Sequence, residues 1–356
     1  MTKKKTNVTV HDLARELNLN ASSVSRALND HPRISVETKQ RVLKLAKKYN
    51  YKLNKAAYTL RTGKGKTIGV IVPRINRFFF SNAIHGIEEI AASHDYNVII
   101  CQTLDSTTKE MKSIKALLGD KVDGIVASIT PDVEAKNPYA KCCANYKEVV
   151  KSQTPLVFFN MVCEDFKVSK VVVDDELGGF MGTEHLIQEG AKRIALLSGQ
   201  THLNIYYRRL EGYKRALTRH GYPIDESLIL DGDLTEHAGY ECTRKLMAMQ
   251  NPPDAIFAVT DYLAIGGIRF LKRNGYEVPG DVLVCGFMNE PFNDLLQPSL
   301  SSIEQHSHQM GQTAAEMLLD EVMRPKKNAT AQTVVLTPEL MTRHSSSLEK
   351  SVLTPG

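Results

Sequence analysis

At 356 residues, with 42% apolar and 24% charged residues, the chain is long enough for two or three domains and too apolar to be disordered. No stretch approaches the roughly 18 consecutive apolar residues of a membrane span, and the start "MTKKKTNVTV" lacks the apolar core of a secretion signal, so a cytoplasmic protein is expected. The formal charge of +5 hides an asymmetry: residues 1–66 hold 16 Lys and Arg against 4 Asp and Glu, and the remainder holds 29 against 36. A cationic head on an acidic body is the pattern of a chain in which only the small head meets phosphates.

The head opens with Thr9, which pairs with Asp12 as a helix start before Leu13, Ala14 and Leu17. Asn18 in "LNLN" suits a tight connection, because Asn tolerates positive φ. Asn20 caps a second helix with Val24, Ala27 and Leu28 facing inward. Ser35 starts a third, with Glu37 in its first turn and Val42, Leu45, Ala46 and Tyr49 at helical spacing. Three short helices, two of them joined by a four-residue turn, form a helix-turn-helix arrangement whose second helix enters the major groove of DNA by its N-terminal residues. The short side chains of "NASSVS" let that helix sit deep. Ala21 and Ser22 are then placed near base edges, while Ser23, Ser25 and Arg26 are candidates for base or phosphate contacts. Residues 51–63, "YKLNKAAYTLRTG", form a further short unit, capped by Asn54 and ended by Gly63, that is too small to be ordered without a partner.

The run "VTVHDLARELNLNASSVSRALNDHPRISVETKQRVLKLAKKYNYKLNKAAYTLRTGKGKTIGVIVP" resembles the N-terminus of the LacI/GalR family of bacterial transcription regulators. It matches that family's "VSRALN" recognition helix, "VSxET" entry to the third helix, and hinge. The resemblance implies that Ala21, Ser22 and Arg26 are specificity positions, and that a hinge helix folds only on operator DNA. There Leu60, with Ala57 beside it, would pry open a central base step in the minor groove. Thr9, Asn29 and Asn54 complete the DNA-facing set. Leu53 stands where the family usually has proline.

In the body, runs of strand type ("TIGVIVP", "YNVIICQT", "VDGIVAS", "PLVFFN", "VSKVVVDD", "RIALLSG", "DAIFAVTD", "DVLVCGFM") alternate with helical stretches at 79–93, 106–119, 176–189, 205–220, 236–250 and 262–274. Gly190, Gly221 and Gly275 close three of these helices. Short continuous apolar strands separated by helices give parallel sheets covered on both faces, here two doubly wound subdomains. The expected fold is multidomain, an all-α head followed by this α/β body. The expected boundaries are a helix-turn-helix domain over 1–50, a hinge over 51–66, an effector and dimerisation domain over 67–343 with crossovers near 160–170, 288–295 and 324–330, and a short flexible tail over 344–356.

Ligands of such sheets bind beyond the carboxyl ends of the strands. The residues there are Arg74 to Phe80 in "RINRFFF", including the rings of Phe78, Phe79 and Phe80, then Asn160 and Met161, Thr260 and Asp261, and Met288 and Asn289. Asp174 and Asp175 read as helix caps. The family resemblance extends to "LTPELMTRHSS" and implies a body that folds like periplasmic sugar-binding proteins. It makes Arg209 of "YRRLEGY" the guanidinium that grips effector, with Asn160, Thr260 and Asp261 at other pocket positions. Met161 and Met288 replace an arginine and an aspartate common in relatives. The pocket is thereby less polar, which favours a larger saccharide or another small metabolite over a simple hexose.

No enzyme is indicated. "GKGKT" at 63–67 has Leu60 where a phosphate-cradling loop needs glycine, and Ser198 in "LLSGQ" lacks the first glycine of a nucleophile elbow. The six cysteines include no Cys-x-x-Cys and read as reduced and mostly buried. His306 with His308, and His237 with Cys242, are isolated pairs, so no metal and no cofactor is expected. Only "HSSSLEKSVLTPG" follows Arg343, too short for three heptads, so a homodimer is expected. The expected function is effector-controlled transcriptional regulation, in the sense of a repressor, on a roughly palindromic operator. A sugar-binding protein, or an α/β enzyme with a DNA-binding appendage, is the alternative.

Overall fold

The computed structural model describes residues 8–28, 31–49, 51, 65–324 and 330–347, and the chain divides into two compact units, Met1–Gly65 and Lys66–Gly356. The first unit holds α1 (Val10–Leu17), α2 (Ala21–Leu28) and α3 (Val36–Lys48). Thr9 and Asp12 form a reciprocal capping box at the start of α1, and Asn18 ends that helix at φ 56°. Asn20 Oδ1 accepts from Ser23 N at 2.7 Å, and Ser35 Oγ accepts from Thr38 N at 3.3 Å, which satisfies donors that the first turns of α2 and α3 leave open. Leu13, Ala14, Val24, Ala27, Val42 and Ala46 form the core. Tyr49, at the helical spacing of Val42, Leu45 and Ala46, ends α3 in an exposed position.

The second unit consists of two lobes. The first contains β1 (Thr67–Val72), α4 (Phe78–Ser93), β2 (Asn97–Gln102), α5 (Thr107–Gly119), β3 (Gly124–Ala127), α6 (Ala140–Lys151), β4 (Leu156–Phe159) and β5 (Ser169–Val173). The second contains α7 (Asp175–Gln188), β6 (Ile194–Ser198), α8 (Asn204–Arg219), β7 (Ile229–Asp231), α9 (Glu236–Met247), β8 (Ala255–Ala258), α10 (Asp261–Arg273), β9 (Leu283–Phe287) and β10 (Ser301–Glu304). The chain then returns to the first lobe through α11 (Ser307–Met323) and β11 (Thr333–Leu336), and ends in the second with β12 (Glu339–Met341). The sheet orders are β11-β5-β4-β3-β1-β2 and β12-β10-β9-β8-β6-β7. Every pairing is parallel except β10 with β12. Strands β3, β4, β8 and β9 are buried at every residue, as strands covered on both faces must be.

Three helix pairs approach closely through glycines. A Cβ on Gly212 of α8 would lie 2.1 Å from the Glu176 carbonyl of α7, one on Gly239 of α9 would lie 2.1 Å from Leu263 O of α10, and one on Gly311 of α11 would lie 2.0 Å from Ala83 O of α4. Among the described residues no helix is long and apolar enough to cross a membrane.

Three expectations need correction. The crossovers fall after Val173, after Glu304 and after Leu336, each later than expected, because β5, β10 and β11 first complete their own sheets. Residues 344–347 are not a loose tail. Ser345 and Ser346 are fully buried, Ser345 Oγ donates to Val284 O at 2.6 Å, and Ser346 Oγ lies 2.7 Å from His185 Nε2. The cysteines are not all reduced: Cys143 on α6 is joined to Cys163 in the loop after β4, with their Cα atoms 5.7 Å apart.

Candidate nucleic-acid interface and effector cleft

In the first unit the packing of α2 decides which of its side chains face outward. Val24 and Ala27 are buried against α1 and α3, which turns Ser22 and Arg26 outward as exposed residues, with Ala21, Ser23 and Ser25 partly covered. Ser22 Oγ donates to Asn20 Oδ1 at 2.7 Å, so its hydroxyl is oriented and its lone pairs remain available as acceptors. Thr9 is spent on the capping box, its Oγ1 donating to Asp12 Oδ2 at 2.7 Å. Asn29, Asn54, Ala57 and Leu60 lie outside the described residues.

In the second unit one cavity of about 600 Å³ is lined from both lobes. Its walls are the residues that follow the strands: Pro73 after β1, Thr130 after β3, Asn160 and Met161 after β4, Gln200 after β6, Asp233 after β7, Thr260 after β8, Met288 after β9 and Gln305 after β10. This is the carboxyl-end crevice of doubly wound sheets. Phe79 and Phe80 from α4, Tyr206 from α8 and Tyr262 from α10 supply ring faces and edges. The rings of Phe79 and Phe80 meet edge to face at 5.2 Å, and the Arg77 guanidinium lies 4.7 Å from the Tyr262 ring centroid. Asn160 and Met288 both have positive φ, 58° and 113°. That conformation costs of order 1–3 kcal/mol for a residue such as Met and tends to gather at ligand sites.

Arg209 is the fixed point of the cavity. It is 3% exposed, and its Nε and Nη2 both reach Asp175 Oδ1 at 2.8 Å, while Nη1 donates to Val259 O at 2.6 Å. Its guanidinium lies 3.6 Å from the Phe287 ring centroid. Of the five N–H groups of a guanidinium these bonds engage three, which leaves two on a group that is held in place and lines the cavity. Gln305 is 1% exposed, lines the same cavity, and its Nε2 has no hydrogen-bond partner. Arg74 is paired with Asp105 at the rim.

Six of the expected effector residues, Phe79, Phe80, Asn160, Arg209, Thr260 and Met288, are thus brought together around the cavity. Three are not. Phe78 does not line it. Asp261 is fully buried behind it, accepting from Ser302 Oγ at 2.6 Å and from Glu290 N and Asn293 Nδ2 at 2.8 Å. Loss of water pushes the Asp261 carboxyl up to about 6 against the pull of those donors. Asn289 is taken up by Glu304 and Arg343. Asp174 caps α7 by accepting from Leu177 N at 2.9 Å, and Asp175 holds Arg209. Sequence reasoning missed Thr130, Tyr206, Tyr262, Asp233 and Gln305. Thr130 and Gln305 obey the strand-end rule, but Gln305 follows a strand, "SSIE", whose polar residues do not read as one.

Comparison with known proteins places these two units. Residues 9–54 match the family model described as "Bacterial regulatory proteins, lacI family", and residues 183–346 match the "Periplasmic binding protein-like domain". The chain is 33% identical over 316 residues to "Catabolite control protein A" of Priestia megaterium, covering 88% of this chain and 92% of that protein. Its fold matches the lac repressor dimer bound to operator and an anti-inducer, with a TM-score of 0.83 at 22% identity, over 96% of this chain and all of that one. A LacI-family regulator from Enterococcus faecium with bound ribose aligns with a TM-score of 0.67 at 27% identity, over 80% of this chain and all of that one. Together with the capped helix-turn-helix head and the two-lobed body, these likenesses show that the chain belongs to the LacI family of transcriptional regulators, a DNA-binding repressor with a periplasmic-binding-protein-like effector domain and not an enzyme.

Proposed function

We propose that the chain acts as a homodimer whose affinity for a roughly palindromic operator is set by a saccharide, or a small metabolite of similar chemistry, bound in the cavity between the lobes. The observation that carries this reading is Arg209, clamped by Asp175 and Val259 with N–H groups to spare, in a cavity walled by aromatic rings. Rings that stack on a sugar face and a rigid fork that binds hydroxyls are the two things a saccharide needs. The ribose-bound relative supports the ligand class, and the methionines at 161 and 288 favour a ligand with more apolar surface than a simple hexose.

Two copies related by two-fold symmetry present their α2 helices to successive major grooves about one helical turn apart, roughly 34 Å. Ala21 and Ser22 meet base edges, Arg26 meets a base or a phosphate, and Leu60 wedges a central step in the minor groove. Effector shifts the balance between lobe arrangements that suit and do not suit the operator, and operator must alter effector affinity by the same factor.

The test is a thermal-shift screen of mono- and disaccharides, followed by operator binding with each hit. A specific ligand raises the melting temperature and changes operator affinity, and Arg209→Ala abolishes both effects while operator binding without ligand persists. No stabilising saccharide, or an Arg209→Ala protein that responds as the parent does, overturns the reading.

A further inference from the structure

We propose that His85, Glu89 and His308 form a surface site for a divalent transition ion of zinc, cobalt or nickel type, outside the effector cavity and independent of it. His85 and Glu89 stand four residues apart on α4 and so share one face of that helix. His308, in the first turn of α11, is delivered to them because the two helices are pressed together. A Cβ on Gly86 would lie 2.2 Å from the His308 carbonyl oxygen, and one on Gly311 would strike Ala83.

The consequence is a ready donor set. His308 Nε2 lies 2.9 Å from Glu89 Oε2 and His85 Nε2 lies 3.5 Å from Glu89 Oε1, with the imidazole centroids 5.0 Å apart and all ligand atoms within 4.8 Å of one another. Ligands about 2.0–2.1 Å from a tetrahedral ion are about 3.3 Å apart, so the three atoms need only small side-chain rotations to enclose one. Gln312 Nε2 donates to Glu89 Oε2 at 3.1 Å and steadies the carboxylate in the way outer partners of metal ligands do. His85 and Glu89 are exposed and His308 is half-exposed, which gives an ion direct entry and leaves its remaining position to water. Two imidazoles with one carboxylate select ions of intermediate softness over calcium or magnesium. The other close cluster among the described residues, Cys143, Cys163 and Asp165, has its sulfurs joined to each other and offers no thiolate.

The test uses the untagged full-length protein titrated with Co²⁺ and followed by visible absorbance, with Zn²⁺ added to displace it. One ion per chain is expected, with affinity about tenfold or more weaker in His85→Ala and in His308→Ala. His94→Ala, which alters a histidine at the end of the same helix outside the cluster, binds as the parent does. The melting temperature of each variant without metal reports its folding, and Zn²⁺ raises that of the parent but not those of the two cluster variants. Equal binding by the parent and both cluster variants, or no binding by the parent at millimolar metal, overturns the proposal.

Discussion

Glu110 of α5 is buried, its Oε1 accepting from Thr130 N at 2.8 Å and Tyr146 Oη at 3.3 Å, and its Oε2 from Asn145 Nδ2 at 3.0 Å. Loss of water outweighs those donors and pushes the carboxyl up to about 7. The folded state therefore holds a proton that the unfolded chain, with a value of about 4.3, has released. The resulting stability is fully present below the unfolded value and is lost as pH rises through about 7. Glu110→Gln removes this dependence but turns an amide nitrogen toward the Asn145 donor. We expect the variant to melt lower throughout, with the gap to the parent narrowing between about pH 5 and about pH 8. A gap of constant width would show that Glu110 does not titrate there. Asp261 shows the limit of sequence reading at this scale. An acid just past a strand looks the same whether it meets a ligand or ties Ser302, Glu290 and Asn293 together behind the cavity, and only the tertiary fold distinguishes the two.

Helix pairs in the body are set by glycines rather than by interlocking side chains. Alanine within a helix normally gains about 1 kcal/mol over glycine. At Gly212 that gain is outweighed, because the new methyl would sit 2.1 Å from Glu176 O and 2.6 Å from Phe180 N, and overpacking costs about 1–3 kcal/mol or more. Gly212→Ala is expected to lower the melting temperature by several degrees, at about 2–4 °C per kcal/mol for a unit of this size. It should also weaken effector binding, since it separates the helices that carry Asp175 and Arg209. An unchanged melting curve would mean that α7 and α8 adjust without cost. Capped, patterned helices such as α1 and α3 were legible in the sequence because side chain and backbone signals agree. The crossovers were not, since β10 and β11 are four-residue strands at or near sheet edges and nothing in composition marks a chain leaving one lobe for the other. Helix α11 does carry a readable period, in Met310, Ala314, Leu318 and Val322, all buried. Spacing in the chain also could not show that Cys143 and Cys163 meet, because α6 was not recognised as the element that brings them together.

For the molecule as a whole, charge separates the two activities. With 16 Lys and Arg against 4 acids in residues 1–66, operator binding should fall by about 10³ or more between about 50 and 200 mM salt, as expected for some six to ten phosphate contacts. Effector binding should change little, because Arg209 is buried and screened only weakly. Filter binding and calorimetry across that range check both. Similar salt slopes for the two would mean that the charged head is not what meets the operator. Leu60→Ala should weaken operator binding and spare effector binding, and an operator affinity equal to that of the parent would remove the wedge from the mechanism.

The threefold passage of the chain between lobes also bears on how the protein is made. The first lobe's core includes Met310, Ala314, Leu318 and Leu319 of α11, and its sheet ends in β11, so it stays open until the ribosome has released residue 336. The second lobe, encoded in between, has most of its strands by residue 304 and waits only for β12 and the buried serines at 345 and 346. The first lobe therefore keeps the face that α11 covers only partly closed, by α4, while the whole of the second lobe up to Glu304 is translated.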